Sequence, residues 1–342
     1  MKKILLSLSL IIFAFLHAQS QVTYTVTKIS DPDPYQHPYF FDDSLCDPDM
    51  LGTLQWAVRK CMDTPAATSI AFNIPGNGPH YIDLQYSLQA LAKRPVFIDG
   101  STQPGYISGS PQIILDGHDK LTTGLNFTDA VNSGVRGVAF TGFSSQAVVF
   151  NYSDHFIIDE CFFYRNGLSS SKIEPAAIRI IKCNYGMITG NRIGFAPDGS
   201  APGNSAHGIV LTSTSNYNTI GSQNPDDANV ITRSLKYGVW ITGSSTSNRI
   251  TRNLIYDQPN AIMLDSYGNH NKQKPELVQY DPTTGNLSGV AEANDTIEIF
   301  GSDAHENANV YLGSSVADQT GHWTVPHSYS TYNYFCGTAT DQ

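Results

Sequence analysis

Six copies of one short pattern, a small residue followed by apolar, any and apolar, recur at near-regular spacing along the middle of the chain. They are GLNF from Gly124, AVVF from Ala147, AIRI from Ala177, GIVL from Gly208, GVWI from Gly238 and AIML from Ala261, with starts 23, 30, 31, 30 and 23 residues apart. Units of this length cannot bury their apolar side alone, so they must stack on one another. Period-two alternation sends Leu125 and Phe127, Val148 and Phe150, Ile178 and Ile180, Ile209 and Leu211, Val239 and Ile241, and Ile262 and Leu264 to one side of the strand. The expected result is a solenoid of parallel strands with continuous apolar rows inside.

A second pattern follows the first in each of the first five copies. VRGVAF (135–140), IDECFF (158–163), ITGNRI (188–193) and ITRNLI (250–255) place their fourth residue 14 or 15 positions after the strand begins. In the fourth copy a polar insertion, SQNPDDA, delays that position by seven residues, to Asn229. The resulting column reads Val138, Cys161, Asn191, Asn229, Asn253. Parallel strands stack at about 4.8 Å, close enough for like amides to bond to one another. Asn191, Asn229 and Asn253 are therefore expected to form an internal asparagine ladder.

Upstream, IAFNI, HYIDL, PVFIDG and QIILDG read as earlier strands, preceded by an amphipathic helix around Leu51–Met62 whose apolar face suits a cap over the first coil. Lys2 and Lys3, an apolar run from Ile4 to Leu16 and the small residues around Ala18 have the form of a removable export signal over residues 1–20. The apolar run falls short of the roughly 20 residues that span a bilayer, so no membrane insertion is expected once the signal is removed. Without it the chain carries 18 basic against 30 acidic residues, a net charge of −12, which argues against nucleic acid or an anionic membrane as partner. Of the five cysteines, Cys46 and Cys61 flank the helix and are the candidate disulfide pair; Cys161 and Cys183 occupy apolar repeat positions.

The spacing, the ladder, and the segments IDGSTQPGY (98–106), NRIGFAPDGSAPGNSAHGI (191–209) and NTIGSQNPDDANVI (218–231) resemble the right-handed parallel β-helix repeats, of pectate-lyase-like fold, found in secreted and surface proteins of bacteria. The resemblance covers roughly residues 50–265. It implies an all-β chain: a three-sheet right-handed parallel β-helix with an N-terminal helical cap, followed by a small β-sandwich module of Ig-like type. On that reading residues 21–94 form the cap and first coils, 95–268 the β-helix, 269–285 a linker and 286–342 the module, as a monomer or part of a longer chain. The location implied is secreted or cell-surface, and the partner a polysaccharide or cell-surface glycan.

In this fold, substrate lies along the outer face of the first strand. The outward residues there are Asn126, Val149, Arg179, Val210, Trp240 and Met263, with Asp265 next along. Trp240 suits stacking on a sugar ring, Arg179 suits gripping an anionic substituent, and Val210 and Met263 extend the indole into an exposed apolar stripe. Trp240, Arg179 and Asp265 are thus the candidate carbohydrate-binding residues, and the protein is read as non-catalytic, an adhesin or a carbohydrate-contacting protein. The alternative is a lyase or glycoside hydrolase acting on an acidic glycan with Asp198, Asp257 and Asp265 as its acids. RIIK (179–182) is close to the Arg-Ile-Lys of polygalacturonases but carries an extra residue, and that family's aspartate motifs are missing. His118 reads as a lone turn histidine and Asp226-Asp227 as a solvated pair. No metal-ligand spacing, nucleophile elbow, phosphate loop or dinucleotide fingerprint occurs, so no cofactor is expected.

Overall fold

A computed structural model of the chain describes residues 21–36, 47–168, 175–302, 307–326 and 332–341. The expected export signal and Cys46 lie outside the described residues. Three parallel sheets wind around one interior as a right-handed β-helix. Sheet A has eight strands, from Val22–Val26 to Arg249–Ile250; sheet B has seven, from His80–Asp83 to Leu254–Tyr256; and sheet C has seven, from Leu91–Ala92 to Asn260–Leu264. The six repeat copies are six of the seven strands of sheet C, in register Leu125↔Val148↔Ile178↔Ile209↔Val239↔Ile262.

Interior rows run through all three sheets. In sheet A they align Val135, Ile158, Ile188, Ile220 and Ile250, and in sheet B Phe140, Phe163, Ile193, Ile231 and Ile255. Repetition at one rung spacing puts like rings face to face: Phe127 on Phe150 at 4.2 Å and Phe140 on Phe163 at 5.1 Å. The helix Leu54–Asp63, capped by the Thr53 hydroxyl accepting from the Trp56 amide at 3.2 Å, turns Leu54, Trp56, Ala57, Val58 and Cys61 into the same core. It sits between the first two strands of sheet A in sequence, so it plugs the interior while Val22–Val26 forms the sheet edge. Cys61 is a buried free thiol, pushed up to about 11 by burial.

Strands this short leave corner amides that no sheet can satisfy, and side chains satisfy them. At the corner from sheet A to sheet B, Asn191 Nδ2 donates to Asn229 Oδ1 at 2.9 Å and Asn229 Nδ2 to Asn253 Oδ1 at 2.8 Å. The same oxygens accept from the backbone amides one coil back, with Cys161 N on Asn191 Oδ1 at 2.9 Å starting the file. The insertion of the fourth copy folds outward as a short 3-10 turn, Pro225–Asp227, and the file resumes at Asn229.

The sequence reading stopped at one ladder, but the other two corners have their own. From C to A, Asn218 Nδ2 donates to Asn248 Oδ1 at 2.9 Å and Asn248 Nδ2 to Asn269 Oδ1 at 3.4 Å. A parallel file there runs Ser153, Cys183, Ser215, Ser245. From B to C, Asn166 Nδ2 donates to Asn204 Oδ1 at 3.2 Å.

The C-terminal module consists of two three-stranded antiparallel sheets, Glu276–Tyr280, Leu287–Val290, His322–Val325 and Val310–Val316, Thr296–Ser302, Tyr334–Thr340, sharing a core of Leu287, Ile297, Ile299, Trp323 and Val325. The stretch 269–285 is not a linker: Asn269 ends an asparagine file, and Glu276–Tyr280 is an edge strand of the module. The module closes the last coil. Glu298, 3% exposed, accepts from the Thr251 hydroxyl at 2.6 Å and the Arg252 amide at 2.9 Å, and Ala308 pairs its backbone with Ile255.

Two outcomes follow from this packing. Asn229→Ala removes an acceptor for the Asn191 amide and a donor to Ile188 O, and is expected to lower stability by about 2–4 kcal/mol in urea unfolding, because each orphaned buried group costs roughly 1–3 kcal/mol. Glu298→Ala orphans Thr251 and Arg252 at the module contact, and limited proteolysis should release the module faster from this variant than from the parent chain.

Candidate functional site

In its first coils the outer face of sheet B gathers aromatic and acidic side chains. Alternation turns Tyr81 and Asp83 outward from His80–Asp83, and register places Ile114 and Asp116 beside them. Loops around residues 107–112 and 194–203 rise over this face and leave a groove of about 400 Å³ between them, lined by Tyr81, Pro111, Ile114, Tyr164, Pro197 and Asp198, among others. Ile114, Tyr164 and Ala196 form its apolar floor and pack with Ala139 and Phe162 in a small cluster outside the β-helix interior. Tyr81 leaves 48% of its surface open, a flat face beside that floor.

Two polar groups of the groove are shifted in opposite senses. Burial pushes the Tyr164 phenol up to about 12, with the nearby Tyr81, Asp116 and Asp198 adding to the shift against a hydrogen bond to Thr141. It is a neutral hydroxyl at every ordinary pH. Asp198 is the reverse case: the Ser200 hydroxyl at 2.6 Å and amide at 2.8 Å hold its carboxyl below the usual carboxylate range. Arg165 faces Asp119 at 3.5 Å.

Beside the groove, His118 is no longer alone. Its Nε2 lies 3.5 Å from Asp83 Oδ1, its amide donates to Asp116 Oδ1 at 2.7 Å, and donor atoms of all three residues fall within 4.8 Å of one another. Two carboxylates and an imidazole are a donor set that can hold a divalent cation. The other acidic group of this kind, Glu292, Asp295 and Asp341, already surrounds the Lys272 ammonium.

The residues expected to bind carbohydrate lie on sheet C. Trp240 Nε1 donates to Asp265 Oδ1 at 3.1 Å, and the indole packs beside His207 at 4.8 Å and Tyr237 at 5.9 Å. Arg179 lies two coils back in the same row, roughly 10 Å away. The expected exposed stripe is closed between them, because Val210 is 0% exposed. The three acids of the hydrolytic alternative do not converge. Asp198 is in the groove, Asp257 lines a separate depression with Arg233 and Leu235, and Asp265 is bound to the indole on another sheet. His155, Tyr185 and Tyr217 form an exposed file at 5.2 and 5.3 Å, but their faces are spent on one another.

The carboxyl of Asp159 is raised to about 6 by burial, against the pull of the Thr189 hydroxyl and Arg136. It sits on sheet A in a network in which Glu160 accepts from Tyr106 at 2.5 Å, Ser108 at 2.7 Å and Arg136 at 2.9 Å. This network anchors the loop that forms one wall of the groove.

No family model and no curated protein matches the sequence. Among solved structures the chain is similar to PfbA, a surface adhesin of Streptococcus pneumoniae, at TM-score 0.37 and 14% identity over 58% of this chain and 57% of that one. It therefore spans a little over half of the adhesin chain. It is also similar to the enzymatically active domain of bacteriophage CBA120 tailspike protein 2, at TM-score 0.29 and 10% identity over 86% and 72% of the two chains. Among the described residues no helix is long and apolar enough to cross a membrane.

Because the folded Asp159 holds its proton more tightly than the unfolded one, it stabilises the fold below about pH 4, and that contribution is lost as pH rises through about 6. Asp159→Asn should therefore flatten the stability profile between these limits, with a gain of roughly 2 kcal/mol at pH 7 read by urea unfolding at a series of pH values.

Proposed function

We propose that the chain is a secreted or cell-surface β-helix protein that holds carbohydrate without converting it, and that the groove across sheet B is its main contact. The observation that carries this reading is the pairing of an open tyrosine face, Tyr81, with a neutral buried phenol, Tyr164, in a groove walled by proline-bearing loops. A flat apolar face beside a few fixed polar groups suits a pyranose ring, which has an apolar side and a rim of hydroxyls.

The protonation states favour binding over hydrolysis. A glycosidase needs one carboxyl held neutral to protonate the leaving oxygen and a second, ionised one across the bond. Asp198 is held ionised, and Asp159 lies on another sheet, engaged by Thr189 and Arg136. A second contact surface on sheet C has Trp240 at its centre, oriented by Asp265, with Arg179 farther along the row. It is favoured by the indole's fixed, half-buried position.

Glycan-array screening of the full chain, followed by calorimetry, tests both surfaces. Tyr81→Ala is expected to weaken binding about tenfold with unchanged thermal unfolding, since one well-used aromatic face is worth roughly 1–1.5 kcal/mol. Trp240→Ala should give a smaller loss. Absence of any bound glycan, or release of reducing ends from one, would sink the reading.

A further inference from the structure

The charge around the groove narrows what kind of sugar it takes. Asp198 lines it, Asp83 and Asp116 lie next along the same face from Tyr81 and Ile114 with His118 Nε2 3.5 Å from Asp83 Oδ1, and the cation among its lining residues, Arg165, faces its own carboxylate, Asp119, at 3.5 Å. Two of these acids come from adjacent strands at matched register, Asp83 on Asp116, so their negative charge is set by the fold and not by a mobile loop. Asp198, on the loop over this face, is held in place by Ser200, and the Tyr164 phenol lies within electrostatic reach of both Asp116 and Asp198. A uronate or sulfated sugar entering here would meet like charge. A sugar carrying an ammonium would meet opposite charge.

We infer that the groove recognises a glycan with free amino groups, a hexosamine polymer at least partly de-N-acetylated, with a ring over Tyr81 and its ammonium facing Asp198 or the Asp83–Asp116 pair. The assignment rests on the glycan reading above and reverses the charge preference that an acidic polysaccharide would need. The aromatic and proline surface grips the ring irrespective of its substituent, while the carboxylates select the substituent.

Calorimetry with the full chain and three oligosaccharides of equal length, glucosamine, N-acetylglucosamine and galacturonate, tests it. The glucosamine oligomer is expected to bind about tenfold more tightly than its N-acetylated counterpart at low salt, an advantage that shrinks as salt is raised, and the galacturonate oligomer should be the weakest. The double variant D83N/D198N should lose that preference while keeping its affinity for the N-acetylated oligomer. Asparagine at position 198 can still accept from Ser200, so the wall loop keeps its shape. Equal binding of the two glucosamine forms, or tighter binding of galacturonate, overturns the charge assignment and leaves the glycan reading standing. Binding of none of the three, with a lysine oligomer bound instead and unaffected by Tyr81→Ala, overturns both.

Discussion

The interaction on which the rest of the structure depends is the amide-to-amide hydrogen bond between asparagines of successive coils. Strands of two to six residues cannot close a coil by themselves, and each corner exposes backbone donors to the interior. An asparagine there answers both needs, since its oxygen accepts from the backbone and side chain of the preceding coil while its nitrogen donates to a carbonyl and to the next asparagine. Three corners use the same device. With all three pinned, the angle of each sheet is set, and the interior rows follow.

Inside and outside are thereby separated. Inward positions are committed to stacked aliphatic and phenyl side chains, whereas outward positions in the same strands carry no such demand. Tyr81 and Asp83 alternate with His80 and Ile82, and Ile114 and Asp116 with Ile113 and Leu115. The groove is built wholly from such outward positions and from two loops, so its chemistry rests on the β-helix without contributing to its core. Among the described residues, the buried carboxylates Glu298 and Asp295 and the half-buried Asp159 do structural work instead, at the module contact, on the Lys272 ammonium and beside a loop anchor.

The sequence made the β-helix legible because its strongest signal is local and repeated: Ile178, Ile209 and Val239 each follow a small residue and precede a second apolar one, and each lands in register. The ladder of Asn191, Asn229 and Asn253 could be read for the same reason. The files through Asn218 and Asn166 were harder to see. Asn218 and Asn248 each lie ten residues after Gly208 and Gly238, a regularity present in the sequence, but Asn269 comes only eight after Ala261, and Asn166 and Asn204 are separated by a loop of a different length. The groove was legible only through Asp198, one of the acids of the hydrolytic alternative. Its residues come from positions 79 to 202, most of them before the clear repeat or in loops, and His118 gains its partner Asp83 only through strand pairing across more than thirty residues. Val210 was misjudged because alternation tells which way a side chain points and not what lies over it.

The fourth coil shows how such a molecule can change. Seven extra residues leave the stack at Ser222, make a small turn of their own and return at Asn229 with the amide file intact. A corner locked by one side chain needs only that side chain to come back to its place, whatever length of chain has been spent outside. Loops flanking the groove can lengthen, shorten or be exchanged on the same terms, so a lineage of this protein can acquire new ligands by rewriting its exterior while the rungs beneath stay unaltered.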